Sequence, residues 1–129
     1  MTSAELKTLR EACGLSQRHL SDMAAVNERT VRYWESGKST VPEDVEALVA
    51  QLDETLETAA LAALTQARTL AQTHGAPEVI TLFRYADDAA LWALRPDMKG
   101  LPATCHAALL ARARRLMLAN GLAVEIQWA

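Results

Sequence analysis

The stretch of sequence that decides the fold runs from Leu15 to Gly37 and reads LSQRHLSDMAAVNERTVRYWESG. Ser16 and Asn27 have side chains that cap helix N-termini, and apolar residues follow each of them at helical spacing. Only Ala25-Val26 lies between the two predicted helices. Two short helices joined by so short a turn must cross at a steep angle, which is the geometry of a helix-turn-helix. We therefore predict this motif, with its second helix at Asn27 to Glu35.

Helices are also predicted on both sides of the motif. Thr2 to Glu5 is spaced as a capping box, so a first helix is expected from Ser3 to about Cys13. After the motif, Pro42 suits a first helical turn because its missing N–H costs nothing there. An apolar stripe then continues to about His74, which predicts either one long helix or a pair of helices.

The pattern changes after Gly75. Residues 78–85 are rich in β-branched and aromatic side chains and predict a strand, and residues 122–128 alternate between apolar and polar and predict a half-buried second strand. Between them we expect a short helix that ends by Arg95, because Pro96 disfavours helical geometry before it, and a longer helix from about Pro102 to Asn120. Two strands are not stable alone, so they must pair with each other over the helices or with a second copy of the chain.

These elements predict a mainly α protein. Half of the residues are hydrophobic and only 5% are aromatic, a composition that favours helices over a large sheet. We expect an N-terminal helix-turn-helix domain of four to five helices (1–55), a connecting helix (56–75) and a small α+β C-terminal dimerisation region (76–129). The residues predicted to form the dimer contact are Val79, Phe83, Val124, Ile126 and Trp128.

The charge is distributed unevenly along the chain. The net charge is −3, but the first 42 residues hold six basic and five acidic side chains, a net +1, and the remainder holds seven basic and eleven acidic ones, a net −4. A nucleic-acid surface would therefore have to focus its cations on one face of the N-terminal part. Arg112, Arg114 and Arg115 form a second basic cluster, which is better explained by their place near a helix C-terminus.

Several functional classes are disfavoured by the sequence. Cys13 and Cys105 lie far apart and outside any zinc-binding spacing, and no cofactor motif occurs. Cys105 and His106 are adjacent on a predicted helix and point in different directions, so they do not form a nucleophile and base. An enzyme is therefore not expected. No apolar run is long enough for a signal peptide or a membrane span, which predicts a cytoplasmic protein that binds no membrane.

The same residues carry a resemblance to a known family. Leu15-Ser16-Gln17 at the start of one helix, Val26 in the turn, and Trp34-Glu35-Ser36-Gly37 at the end of the next resemble the Cro and phage-repressor (Xre) helix-turn-helix family. The resemblance covers about the first 55 residues. Ala25 is a departure, because the family often has glycine where the turn needs a left-handed backbone.

The resemblance implies a double-stranded DNA partner. In such proteins the second helix of the motif lies in the major groove, while the first crosses the DNA backbone. The residues expected to read base edges are Asn27, Glu28, Arg29, Arg32 and Tyr33. The residues expected to contact phosphates are Gln17, Arg18, Ser36, Lys38 and Thr40.

A second resemblance concerns the layout of the whole chain. Residues 34–46, with the strands and helices after them, are similar to anti-CRISPR-associated repressors. This similarity implies a homodimer that binds an inverted-repeat operator and represses its own phage operon. Two alternatives remain: an antitoxin, whose C-terminal region binds a toxin protein, and an RNA-binding autoregulator.

Overall fold

The protein consists of six α-helices, one 3₁₀ turn and two β-strands, which the computed structural model describes over residues 1–129. The mainly α class and the small C-terminal sheet agree with the sequence prediction. In chain order the elements are α1 (Ser3–Ala12), α2 (Gln17–Ala24), α3 (Glu28–Ser36), α4 (Glu43–His74), β1 (Ile80–Arg84), α5 (Asp88–Leu94), the 3₁₀ turn (Pro96–Met98), α6 (Ala103–Ala119) and β2 (Val124–Trp128).

The chain divides into two compact units, Met1–Thr55 and Leu56–Ala129. Helix α4 is a single helix of 32 residues and contributes to both units. The sequence predicts either one long helix or a pair of helices for this segment, and the structure has one long helix.

The short helices of the N-terminal unit begin at capping side chains. Thr2 Oγ1 accepts a hydrogen bond from the Glu5 backbone N–H at 3.1 Å, and Asn27 Oδ1 accepts one from the Thr30 backbone N–H at 3.0 Å. At α2 a full capping box forms between Ser16 and His19. These bonds satisfy backbone donors that the first turn of a helix leaves without intrahelical partners.

One apolar core holds the N-terminal unit together. Each of its side chains is less than 9% exposed: Leu6, Leu20, Val31, Trp34, Val41, Val45 and Val49. They come from α1, α2, α3, the segment before α4 and the start of α4. This shared core fixes α2 and α3 against a common scaffold.

In the C-terminal unit, β1 and β2 pair in parallel, with Ile80 opposite Val124 and Arg84 opposite Trp128. Parallel strands need a crossover connection, and here α5, the 3₁₀ turn and α6 supply it. The strands therefore pair with each other within one chain. The dimer hypothesis cannot rest on strands that lack a partner.

The half-buried character predicted for the last strand is wrong. In β2 only Val124 is partly buried; Ile126 is 39% exposed and Trp128 is 67% exposed. The alternating pattern correctly placed these residues on one face, but helices cover only the first part of that face. Val124, Ile80 and Leu82 pack against a cluster that includes Leu64 and Met117.

Asp88 links the two helices that follow β1. Asp87 caps α5, with its Oδ1 accepting from the Ala90 backbone N–H at 2.8 Å, whereas Asp88 Oδ1 accepts from the Ala103 backbone N–H at the start of α6 at 2.7 Å. Leu91, Met98 and Ala103 are buried together beside these bonds. The pair of adjacent aspartates thus starts two helices rather than one.

Candidate nucleic-acid interface

The turn between α2 and α3 depends on Ala25. Its backbone is left-handed, with φ 57° and ψ 43°, and it is the only residue other than glycine with a positive φ. The Val26 backbone N–H donates to the Ser21 carbonyl at 2.9 Å and closes the end of α2. The resemblance predicts a left-handed backbone at this position, where the family often has glycine. Here Ala25 adopts that conformation although it has a Cβ atom.

A buried ion pair joins α1 to α3. Arg10 Nε donates to Glu35 Oε2 at 2.6 Å, and Arg10 Nη2 donates to Glu35 Oε1 at 2.9 Å. The two side chains are only 9% and 4% exposed. Arg10 Nη1 also donates to the Leu15 carbonyl at 2.9 Å, just before α2. This bidentate pair ties α3 and the α2 entry to α1, and it neutralises the acidic residue at the end of α3.

Gln17 belongs to the same network. Its Nε2 donates to Glu35 Oε1 at 3.1 Å, and the residue is half-buried. The sequence predicts Gln17 as a phosphate contact, but its side chain is partly engaged inside the unit. What Gln17 retains at the surface is its place in the first turn of α2, where backbone N–H groups have no intrahelical acceptor.

The exposed side of α3 carries the predicted base-reading cations. Arg29 and Arg32 are both exposed, and they are one turn apart, so they lie on neighbouring positions of one face. Arg32 Nη1 lies 3.8 Å from Glu28 Oε2, an exposed ion pair. Arg29 makes no ion pair within the chain, so its five guanidinium donors are available to an outside acceptor.

Asn27 and Tyr33, also predicted to read bases, are partly engaged within the chain. Asn27 Oδ1 accepts from both the backbone N–H and the hydroxyl of Thr30, so this oxygen serves as the cap of α3. Tyr33 is half-buried, and its ring lies under the Lys38 ammonium, with Nζ 4.2 Å from the ring centroid.

The remaining predicted phosphate contacts lie at the surface. Arg18 is exposed on α2, and Ser36, Lys38 and Thr40 are exposed at and beyond the end of α3. Arg18 and Lys38 make no ion pair within the chain. The N-terminal unit therefore presents cations before, along and after α3, while the acidic group of Glu35 is turned inward.

The structure does not bring the five predicted dimerisation residues onto one surface. Val124, Ile126 and Trp128 share one face of the sheet with Ile80, Leu82 and Arg84, as the strand register requires. Phe83 points to the opposite face, and Val79 precedes β1. Four of the five are substantially exposed: Val79 (42%), Phe83 (50%), Ile126 (39%) and Trp128 (67%).

Comparison with protein families identifies the domain that contains these residues. A model described as a helix-turn-helix domain matches residues 3–79 of the chain, more than half of its length. The chain belongs to the helix-turn-helix domain family. This family membership indicates a DNA-binding regulator, and it agrees with the resemblance to Cro and Xre proteins. Among curated proteins no relative of this helix-turn-helix chain is found. No membrane-spanning segment is found among its helices.

Sequence reasoning missed the Arg10–Glu35 pair of the helix-turn-helix. A signal was present, because Arg10 falls between Leu6 and Cys13 on the buried stripe of α1. A charged residue on an apolar stripe indicates a buried partner of opposite charge. The partner lies 25 positions away, however, and spacing along the chain does not identify it.

The structure shows where the three arginines of the second basic cluster lie. Arg112 is 8% exposed, and its Nη1 lies 3.2 Å from Glu57 Oε2, while Arg114 and Arg115 are exposed. The three arginines therefore do not act as one surface patch. Arg112 is part of the packing of the C-terminal unit.

Proposed function

We propose that the protein is a sequence-specific transcriptional repressor that binds an inverted-repeat operator as a homodimer. It represses its own phage operon, of the type associated with anti-CRISPR genes. The observation that carries the proposal is Arg29, an exposed guanidinium with no ion-pair partner in the chain, on the second helix of the helix-turn-helix motif. The resemblance to Cro and Xre proteins implies that this helix lies in the major groove. The operon assignment is supported by the similarity of the chain's layout to anti-CRISPR-associated repressors.

In the proposed complex α3 lies in the major groove. Arg29 donates two hydrogen bonds to guanine O6 and N7, the commonest base-specific contact. Arg32, whose Nη1 lies 3.8 Å from Glu28 Oε2, reads the next part of the half-site, and Glu28 can accept from a cytosine amino group. Asn27 sits at the N-terminal end of this surface, where its amide nitrogen remains available beside the capping oxygen.

Phosphate contacts orient the motif on the duplex. The first turn of α2, with Gln17 and Arg18, faces one backbone, and Ser36, Lys38 and Thr40 face the other. Such contacts carry no sequence information but supply much of the affinity. Because Arg10 neutralises Glu35 inside the unit, no unpaired carboxylate at the end of α3 opposes them.

The homodimer is supported by the exposed apolar side chains of the C-terminal unit. One helix-turn-helix module buries too little surface for tight specific binding, and two copies read half-sites about one helical turn apart. A parallel sheet is also usually covered on both faces, whereas Phe83 and Trp128 are 50% and 67% exposed here. In the proposed dimer a second copy covers the exposed end of the sheet face that carries Ile126 and Trp128, while Phe83 lies on the opposite face.

The DNA part of the proposal is tested by selecting bound sites from a pool of random duplexes at fixed salt. Wild type should enrich an inverted repeat, and Arg29→Ala should relax the preference at one base pair of each half-site. It should weaken operator binding at least about 30-fold, because each of the two half-sites loses about 1–3 kcal/mol. Arg68→Ala is the matched control, because Arg68 is an exposed arginine of the C-terminal unit. Absence of enrichment by wild type would contradict the proposal and favour the antitoxin or RNA-binding alternatives.

The dimer is tested by sedimentation at micromolar concentration. Trp128→Ser should shift the protein from dimer to monomer. Leu94→Ser is the matched control, because Leu94 is 68% exposed, as Trp128 is at 67%, but lies outside the proposed contact. A wild-type protein that sediments as a monomer would rule out this assembly in free solution.

A further inference from the structure

The segment after α3 folds back along the last turn of that helix. Gly37 has a left-handed backbone with φ 83°, and the Ser39 backbone N–H donates to the Tyr33 carbonyl at 3.1 Å. The Ser36 hydroxyl donates to the same carbonyl at 3.3 Å. The backbone of Tyr33 thus holds residues 36–39 close to its own side chain.

This fold-back places the Lys38 ammonium over the Tyr33 ring, 4.2 Å from its centroid. The face of an aromatic ring attracts a cation but carries no net charge, so the contact orients Lys38 without neutralising it. Arg32 differs, because its partner is the carboxylate of Glu28. An ammonium has three N–H donors, and it can keep the ring on one side while it donates to another group.

We propose that Tyr33 is a positioning residue for Lys38, and that the pair binds a DNA phosphate at the C-terminal end of α3. This inference rests on the proposed DNA-binding function and assigns Tyr33 a role other than the base reading predicted from the sequence. Tyr33 increases the affinity for every duplex and does not affect the base preference. A lysine that is already oriented loses less side-chain freedom when it binds a phosphate.

The test compares Tyr33→Phe, Tyr33→Trp, Tyr33→Leu and Lys38→Gln in the full chain. Binding is measured by fluorescence anisotropy on a selected operator and on a random-sequence duplex over a range of salt. Tyr33→Leu should weaken both complexes equally, by about four- to 25-fold, because an exposed cation–π contact supports about two- to fivefold in each of the two copies. Tyr33→Phe should match wild type and Tyr33→Trp should bind at least as tightly, because both retain an aromatic face.

Lys38→Gln supplies the second arm of the experiment. It should reduce the size of the slope of log K against log salt by about 1.8, which is about 0.9 for the phosphate contact in each of the two copies of the dimer. In the Lys38→Gln background, Tyr33→Leu should cause no further loss, since the cation it positions is gone. Because Lys38 is exposed, the result for the Lys38→Gln single variant does not depend on how well Tyr33→Leu folds.

A readout without DNA completes the test. The Lys38 ε-methylene protons should show an upfield ring-current shift in wild type and Tyr33→Phe, and lose it in Tyr33→Leu. Equal losses from Tyr33→Leu with and without Lys38, or a changed preference at one base pair with unchanged random-duplex affinity, would overturn the inference alone. Failure of wild type to bind any duplex would instead overturn the proposed function and this inference with it.

Discussion

At the scale of single residues, Ala25 carries a local energetic cost. A left-handed backbone places an L-residue's Cβ too close to the following carbonyl oxygen, at a cost of about 1–2 kcal/mol. Ala25→Gly removes this contact, although glycine also gains entropy in the unfolded chain. We predict a net gain in unfolding free energy of up to about 1 kcal/mol, measured by urea unfolding.

The control for Ala25→Gly is Ala47→Gly, the same change at an exposed position inside α4. There glycine should cost about 1 kcal/mol. The two variants should therefore shift the urea midpoint in opposite directions. A loss of stability at both positions would show that the turn is not strained.

Glu35 should contribute more to the free energy of unfolding than Glu28, the exposed acidic residue of α3. Glu35→Ala leaves the Arg10 guanidinium buried without its carboxylate, and breaking a buried pair in this way costs about 3–5 kcal/mol. Glu28→Ala breaks only the exposed pair with Arg32 and should cost less than about 1 kcal/mol. Urea unfolding of both variants measures the difference, and equal losses would contradict the role given to Arg10.

At the scale of elements, the sequence predicted the helices with side-chain caps well, because their start signals are local. Ser16, Asn27 and Asp87 each accept the backbone N–H three residues later. The parallel pairing of β1 with β2 could not be predicted, because pairing joins segments that are 44 residues apart and alternation specifies a face but not a partner. The same limit left the Arg10–Glu35 pair unseen.

Helix α6 contains a titratable group that should make stability depend on pH. His106 is 4% exposed, its Nδ1 has no hydrogen-bond partner, and its ring meets the Tyr85 ring edge-on at 5.2 Å. Burial, with Arg95 as a smaller contribution, lowers the pKa of His106 below 6.5. The unfolded chain therefore binds a proton more readily than the folded chain, and stability should fall as the pH drops below about 6.5.

The matched variant for this prediction is His106→Leu, which is similar in size and does not titrate. The urea midpoint of wild type should fall between pH 7.5 and pH 5.5 by more than that of His106→Leu. At pH 7.5 the variant should be no less stable, because it removes a buried polar atom without a partner. Parallel pH profiles for the two proteins would show that His106 is not the group responsible.

At the scale of the whole molecule, the salt dependence of binding reports how many copies hold the DNA. Each phosphate neutralised on duplex DNA contributes about −0.9 to the slope of log K against log salt. Arg18 and Lys38 are the cations assigned to phosphates, so a dimer should give a slope of about −3.6 and a monomer about −1.8. Anisotropy with the selected operator measures this slope, and a value near that of the monomer would count against two copies on one site.

The distribution of charge supports the proposal that the N-terminal unit binds DNA in spite of the net charge of −3. Arg18, Arg29 and Lys38 are exposed there without ion-pair partners, whereas Arg112 in the C-terminal unit is buried beside Glu57. We propose that DNA binds the surface made by the start of α2, the exposed side of α3 and the segment after it.

The most direct test of this claim is a titration of the ¹⁵N-labelled protein with the selected duplex, read residue by residue from the amide resonances. We predict that the changes concentrate at residues 16–19 and 27–40 and spare the exposed face of α6, including Arg114 and Arg115. Changes centred on α6, with α3 unaffected, would contradict the account.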